Sequence, residues 1–204
     1  MSDLSVLKRL AREDGFLIAA APEGDKAAIR RAVLSARRSM PSSVRATADA
    51  AIRSVLAAVV AALAPRLICA YVPLAGEPGL PEFGARTLLP VLRADLDLDW
   101  ALAGALIPGP KGIREPSGPR LGVAAIADAD LVVAPGVAAS VDGVRLGRGG
   151  GSYDRALARA TGPIVVALYD GEVYESLPAE PHDHPVDAVV TQSGLRLTGR
   201  KRPA

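Results

Sequence analysis

The sequence predicts a single α/β domain built in three layers, with a mainly parallel central sheet flanked by helices. Two patterns carry that expectation. After Pro65 the chain breaks into short apolar runs bounded by Gly and Pro, at 67–72, 87–92, 100–103, 131–134, 164–169 and 188–191. Runs this short, without polar alternation, suit strands buried on both faces, as in a parallel sheet covered by helices. Before Pro65 stand two segments whose apolar residues recur with helical spacing.

The first helix should start after Asp25, a good N-cap, and run to about Arg38. Ile29, Val33 and Ala36 form its apolar stripe, and Lys26, Arg30 and Arg37 share a second face. The second helix follows Pro41 and Ser42, with Val44, Ala48, Ile52, Val55, Val59 and Leu63 in the core-facing period. Shorter helices are expected at 81–86 and 153–161. Leu4, Leu7, Leu10 and Ala11 also have helical spacing, but Gly15, Pro22 and Gly24 interrupt it. Residues 1–25 therefore read as an N-terminal extension, 26–198 as the domain, and 199–204 as a basic tail.

At 204 residues the chain fits one domain with a substantial core. Half of it is apolar, yet only two Phe, one Trp and four Tyr are present, so Ala, Val and Leu must fill the interior. Lys and Arg number 24 against 22 Asp and Glu, a net charge of +2, which argues against general nucleic-acid binding. Cys69 is the only cysteine. It excludes an intrachain disulfide, disfavours a cysteine zinc site, and in LICAYV reads as a small buried apolar residue. The apolar stretch 55–64 is about half the length a membrane span requires. No segment reads as a targeting signal, so a cytoplasmic protein with no membrane partner is expected, and a monomer.

Chemistry concentrates at 135–155, PGVAASVDGVRLGRGGGSYDR. An apolar strand, a loop with Gly149, Gly150 and Gly151, and a helix start follow one another there. Glycines allow positive φ and close backbone approach, and a helix N-terminus offers free N–H groups to a phosphate. Arg145 and Arg148 add cationic donors, and Asp154 could hold Mg²⁺. The competing reading is a tight turn packing a helix on a sheet, with Asp154 as a helix-start charge. The loop is not a Walker A sequence, which needs GxxxxGK[ST]. Ser140 and Ser152 form no GxSxG elbow. His182 and His184 straddle Asp183 without a third ligand at metal spacing.

The pattern RLGRGGGSYDR at 145–155 resembles the signature of the 5-formyltetrahydrofolate cyclo-ligase (methenyltetrahydrofolate synthetase) family. AYVPLAGEPG at 70–79, LLPVL at 88–92, GIREP at 112–116, LVVAPGVA at 131–138 and LPAEPHDHPVDAVVT at 177–191 resemble further family segments in consistent order. With KAAIRRAVL, similar to the family's opening helix, the resemblance spans about four-fifths of the chain. It implies a Rossmann-like, NagB/RpiA/CoA transferase-like domain. The implied activity is a ligase forming C–N bonds, with 5-formyltetrahydrofolate as substrate, ATP as co-substrate and Mg²⁺ as cofactor.

Roles follow from the same resemblance. Lys26, Arg30, Arg145, Leu146, Gly147, Arg148, Gly149, Gly150, Gly151, Ser152 and Tyr153 would contact ATP. Arg30, Arg145 and Arg148 would act in catalysis, Glu77 and Tyr153 on the folate, and Asp154 and Asp187 on the metal. Ser152 departs from the family, which usually has a second tyrosine there. The resemblance also implies a structural loop at His182 and Asp183. Trp100 is expected in the core. Two other readings stand beside this one: an ATP-dependent enzyme of the same scaffold acting on another small molecule, and a non-catalytic nucleotide- or folate-binding protein.

Overall fold

A computed structural model describes residues 3–12, 15–20, 23–83 and 86–199. Its centre is a seven-stranded sheet in the order β12-β11-β9-β6-β1-β2-β3. These strands are β1 (Ile68–Cys69), β2 (Thr87–Leu92), β3 (Leu98–Leu102), β6 (Leu131–Pro135), β9 (Ile164–Ala167), β11 (Ala188–Thr191) and β12 (Gly194–Leu197). The five inner strands run parallel, and only the edges β3 and β12 are antiparallel. The short strands β4 (Leu106–Pro108) and β5 (Arg114–Pro116) pair as a hairpin. Strands β7 (Ala138–Ser140), β8 (Arg145–Leu146) and β10 (Val173–Tyr174) form a second small sheet.

Alternation along the inner strands builds two cores. Leu131, Val133, Val165, Ala167 and Val190 face one layer, where they meet Ile52, Leu56 and Val59 of α3 (Ser42–Leu63) and Leu7 of α1 (Asp3–Leu10). Val132, Ala134, Ile164, Val166 and Val189 face the other, with Trp100, Ile126 and Leu157. Cys69 and Trp100 lie in that second core, as expected. Helix α3 has 22 residues and, by length and composition alone, could cross a membrane; its buried face instead covers the sheet. The αL residue Ala64 ends it, donating its amide to the Val60 carbonyl.

Helix α2 (Lys26–Ser39) starts where the cap residue predicts, with Asp25 Oδ1 accepting from the Ala28 amide at 2.8 Å. Its basic face turns inward. Arg37 is buried, forks onto Glu172 with two 2.7 Å bonds and donates to the Gly136 carbonyl at 2.9 Å. The expected helix at 81–86 does not form at 81–83 or at Arg86, while 84 and 85 lie outside the described residues. The approach to it is held by the Tyr71 hydroxyl on the Pro78 carbonyl and the Gly79 amide on Asp49. The helix expected at 153–161 is α4 (Ser152–Leu157), followed by turns.

The N-terminal extension is not separate. Leu7 is fully buried, the Arg12 amide donates to the Leu195 carbonyl, and Ala19 bridges to Tyr174. Of the basic tail, Gly199 bonds to Val141, and 200–204 lie outside the described residues.

Candidate active site

The parallel strands deliver the glycine loop to the carboxyl end of the sheet, the edge where α/β domains of this kind bind ligands. There, a cavity of about 870 Å³ opens between the loop, the first turn of α2, the segment after β1, and residues 178–183. Four cations, Lys26, Arg30, Arg145 and Arg148, border it with the loop glycines. Its lining also includes the apolar Leu74, Pro90, Leu92, Leu96, Leu98 and Ile113, and Glu77.

The loop is gripped from two directions. Arg30 Nε donates to the Gly147 carbonyl at 2.7 Å from α2. From beneath, Arg145 donates to the Pro135 carbonyl at 3.2 Å and to Asp154 Oδ1 at 2.5 Å. Arg145 is only 3 % exposed, so its side chain braces the loop more than it faces the cavity. Glycine suits 147 because a Cβ would lie 2.8 Å from Arg145 Nη1 and would make that guanidinium shift. At 149 the reason is the φ of +94°.

Charges in the cavity are paired across it. Arg148 Nε reaches Glu77 Oε1 at 2.8 Å, and Glu77 Oε2 accepts from the Leu74 amide at 2.9 Å. Lys26 Nζ reaches Asp183 Oδ2 at 2.6 Å and Glu180 Oε2 at 3.1 Å. Burial would lower the Lys26 pKa, but these two carboxylates outweigh it and hold the ammonium above its ordinary value. Burial acts on Asp183 in the opposite sense and is likewise outweighed, by Lys26 and the Glu180 amide, so its carboxyl stays below the usual range. Tyr153 borders the cavity with its hydroxyl buried and unpartnered; burial pushes that phenol well up.

Eleven of the residues singled out from the sequence, Lys26, Arg30, Arg145 and Leu146 to Tyr153, line this one cavity, as do Glu77 and Asp154. Asp187 does not. It precedes β11, and its Oδ2 accepts from the Ile164 amide at 2.8 Å at the amino-terminal end of β9, the opposite edge of the sheet. The pairing of Asp187 with Asp154 at one metal is therefore corrected: adjacency to a strand did not say which end of it. Asp154 does suit Mg²⁺. Arg145 takes one of its two oxygens, and one carboxylate beside phosphate oxygens and water is an ordinary magnesium donor set.

Sequence reasoning missed the apolar lining and the two acids around Lys26. The lining's residues are scattered over five segments with no shared motif. Glu180 and Asp183 lie in a segment read as a structural loop, and their distance of over 150 residues from Lys26 hides the pairing. Glu115 of the GIREP segment has a structural task, accepting from the Leu92 amide at 2.8 Å.

Fold and cavity together define an α/β protein in which a glycine loop flanked by arginines shares one cavity with apolar side chains. The family model described as the 5-formyltetrahydrofolate cyclo-ligase family matches residues 22–192. The chain belongs to that family. It is 40% identical over 182 residues to the 5-formyltetrahydrofolate cyclo-ligase of Mycolicibacterium smegmatis, covering 81% of this chain and 93% of the relative. Identity to the cyclo-ligase of Escherichia coli is 36% over 119 residues, 54% of this chain and 65% of the relative. The solution structure of Aquifex aeolicus 5,10-methenyltetrahydrofolate synthetase superposes with a TM-score of 0.72 at 28% identity, covering 88% of this chain and 95% of that one. The synthetase from Mycoplasma pneumoniae, 21% identical with a TM-score of 0.68 over 83% and 99% of the two chains, shares the fold.

Proposed function

We propose that this chain is an ATP-dependent ligase that cyclises 5-formyltetrahydrofolate to 5,10-methenyltetrahydrofolate, releasing ADP and phosphate. The observation that carries the reading is the one cavity that holds both the cation-flanked glycine loop and an apolar lining, in a member of this family. The formyl oxygen attacks the γ-phosphorus of ATP and ADP leaves. N10 then attacks the activated formyl carbon, its proton departs, and the carbon–oxygen bond to phosphate breaks. Oxide, a poor leaving group, has become phosphate.

Such chemistry asks the protein mainly for positioning and charge stabilisation, not for a covalent nucleophile. Lys26, Arg30 and the loop amides 147–151 hold the triphosphate, and Arg148 faces the phosphoryl group in transfer. Arg145 acts through the loop and Asp154, which makes it a positioning residue. Asp154 would hold Mg²⁺, whose charge supports phosphate binding. The apolar lining takes the pterin and benzoyl rings, with Glu77 accepting pterin N–H groups. Ser152, at the first turn of α4, leaves Tyr153 as the one ring that this motif supplies.

A coupled assay tests the reading: 5-formyltetrahydrofolate with MgATP should give the methenyl absorbance, and omission of ATP should abolish it. Folded protein that turns over neither substrate would sink it. Folate- or nucleotide-dependent thermal stabilisation without turnover would instead favour a binding protein. The working form we propose is a cytoplasmic monomer, which light scattering at the mass of one chain would support.

A further inference from the structure

We infer that Asp183 is a positioning residue for the nucleotide site, acting through Lys26. This rests on the reading of Lys26 as a triphosphate contact. A lysine is a flexible point charge on a four-carbon stem, and holding it in one place requires partners. Lys26 is the first residue of α2, beside the N-cap Asp25, and its side chain is only 12% exposed. Of its two carboxylate partners, Glu180 is 54% exposed, while Asp183 is as enclosed as Lys26 itself and makes the shorter bond, 2.6 Å against 3.1 Å.

Asp183 is itself fixed. The Oδ2 that accepts from Lys26 also accepts from the Glu180 amide at 2.7 Å, and the Asp183 amide donates back to the Glu180 carbonyl at 3.0 Å. This turn, closed by two reciprocal bonds, borders the same cavity as Asp25, Ala27 and Arg30. The segment 180–183 is therefore the support that aims the Lys26 ammonium along the cavity wall. A single hydrogen bond to a charged group is worth about a tenfold effect or more.

A double-mutant cycle separates this role from a general structural one. Asp183→Asn keeps an acceptor of the same size for the Glu180 amide but removes the charge that holds Lys26. Binding of magnesium AMP-PNP, measured calorimetrically, should weaken about tenfold in Asp183→Asn. In a Lys26→Met background the same change should cost less than twofold. In turnover, the KM for ATP should rise while the KM for 5-formyltetrahydrofolate stays within twofold, and Asp183→Glu should recover part of the loss. Equal losses in both backgrounds, a parallel rise in both Michaelis constants, or unchanged nucleotide binding would overturn the inference. Should Asp183→Asn fail to fold, Glu180→Gln in the same two backgrounds gives a second reading, with a smaller loss expected that Lys26→Met again erases. The binding cycle needs no turnover, so absence of methenyl product from the wild type would count against the proposed reaction and leave the test of Asp183 intact.

Discussion

Arg145 and Asp154 are nine residues apart, and their 2.5 Å bond ties the two ends of the glycine loop together. Removing the arginine would free the loop and leave Asp154 without its partner. Arg145→Met is expected to lower kcat/KM at least a hundredfold, with far-UV circular dichroism unchanged; activity within threefold of wild type would deny the bracing role. Arg37 illustrates a different use of the same side chain. Its bond to Glu172 is fully enclosed, and the Glu172 carboxylate also accepts from the Tyr169 amide. Removing one partner of a buried pair leaves the other charge uncompensated, at a cost of about 3–5 kcal/mol. Glu172→Ala should show that loss in urea unfolding, and a change under 1 kcal/mol would mean that Arg37 finds another acceptor. The identity of the loop residues was legible because one unbroken motif carries them. The fates of Arg37 and Asp187 were not: helical phase shows which residues share a face but not what that face meets, and adjacency to a strand does not say which end of the sheet a residue occupies.

Among the elements, the loop and its flanking strand were the easiest to read. The run 131–134 is apolar at every position because β6 is covered on both faces, with Val132 and Val133 in different cores. The small strands β4, β5, β7, β8 and β10 were invisible, since two or three residues carry no period. The helix expected at 81–86 was short, and six residues containing Gly84 make a weak nucleus. The loop also supplies a prediction at its own scale. Gly149 has φ +94° and sits beside the Arg30 guanidinium, 3.6 Å from where a Cβ would lie. Gly149→Ala meets ordinary contact distances but strained backbone, costing about 1 kcal/mol or more. Turnover should fall more than stability does, because relief of the strain displaces the loop amides proposed to hold the triphosphate. Unaltered kinetics would show that the positive φ is incidental.

Across the whole molecule, the sheet separates two tasks. Its carboxyl edge presents the cavity, while its amino edge is tied down by acids that accept backbone amides. Asp130 receives the Leu67 and Arg66 amides, and Asp187 the Ile164 amide. The Leu67 amide, helped by that of Arg66 and opposed by modest burial, holds Asp130 below the usual carboxylate range. Asp183 is also held low. For both, the unfolded chain takes up protons first as pH falls, so their stabilisation is complete above the ordinary aspartate value, about 4, and is lost below it. Glu172 is shifted upward, with burial outweighing Arg37, and so acts with the opposite sign above the ordinary glutamate value. Urea midpoints should therefore drop steeply below about pH 4, and Asp130→Asn should flatten that drop.

The three-layer architecture was visible in the sequence because apolar runs and amphipathic helices report burial directly. The apolar lining that shares the cavity with the loop was not, because only the folded chain gathers Leu74, Leu92, Leu96 and Ile113 around one space. In the proposed reaction that lining makes a nucleotide loop into a site for two substrates. The most direct test of this claim is to measure ADP and 5,10-methenyltetrahydrofolate together in one reaction of the folded protein with MgATP and 5-formyltetrahydrofolate. The two products should appear in equal amounts, and both should vanish in Asp154→Ala. ADP formed without the methenyl product would show that the cavity couples ATP to some other acceptor, and would contradict the cyclo-ligase assignment.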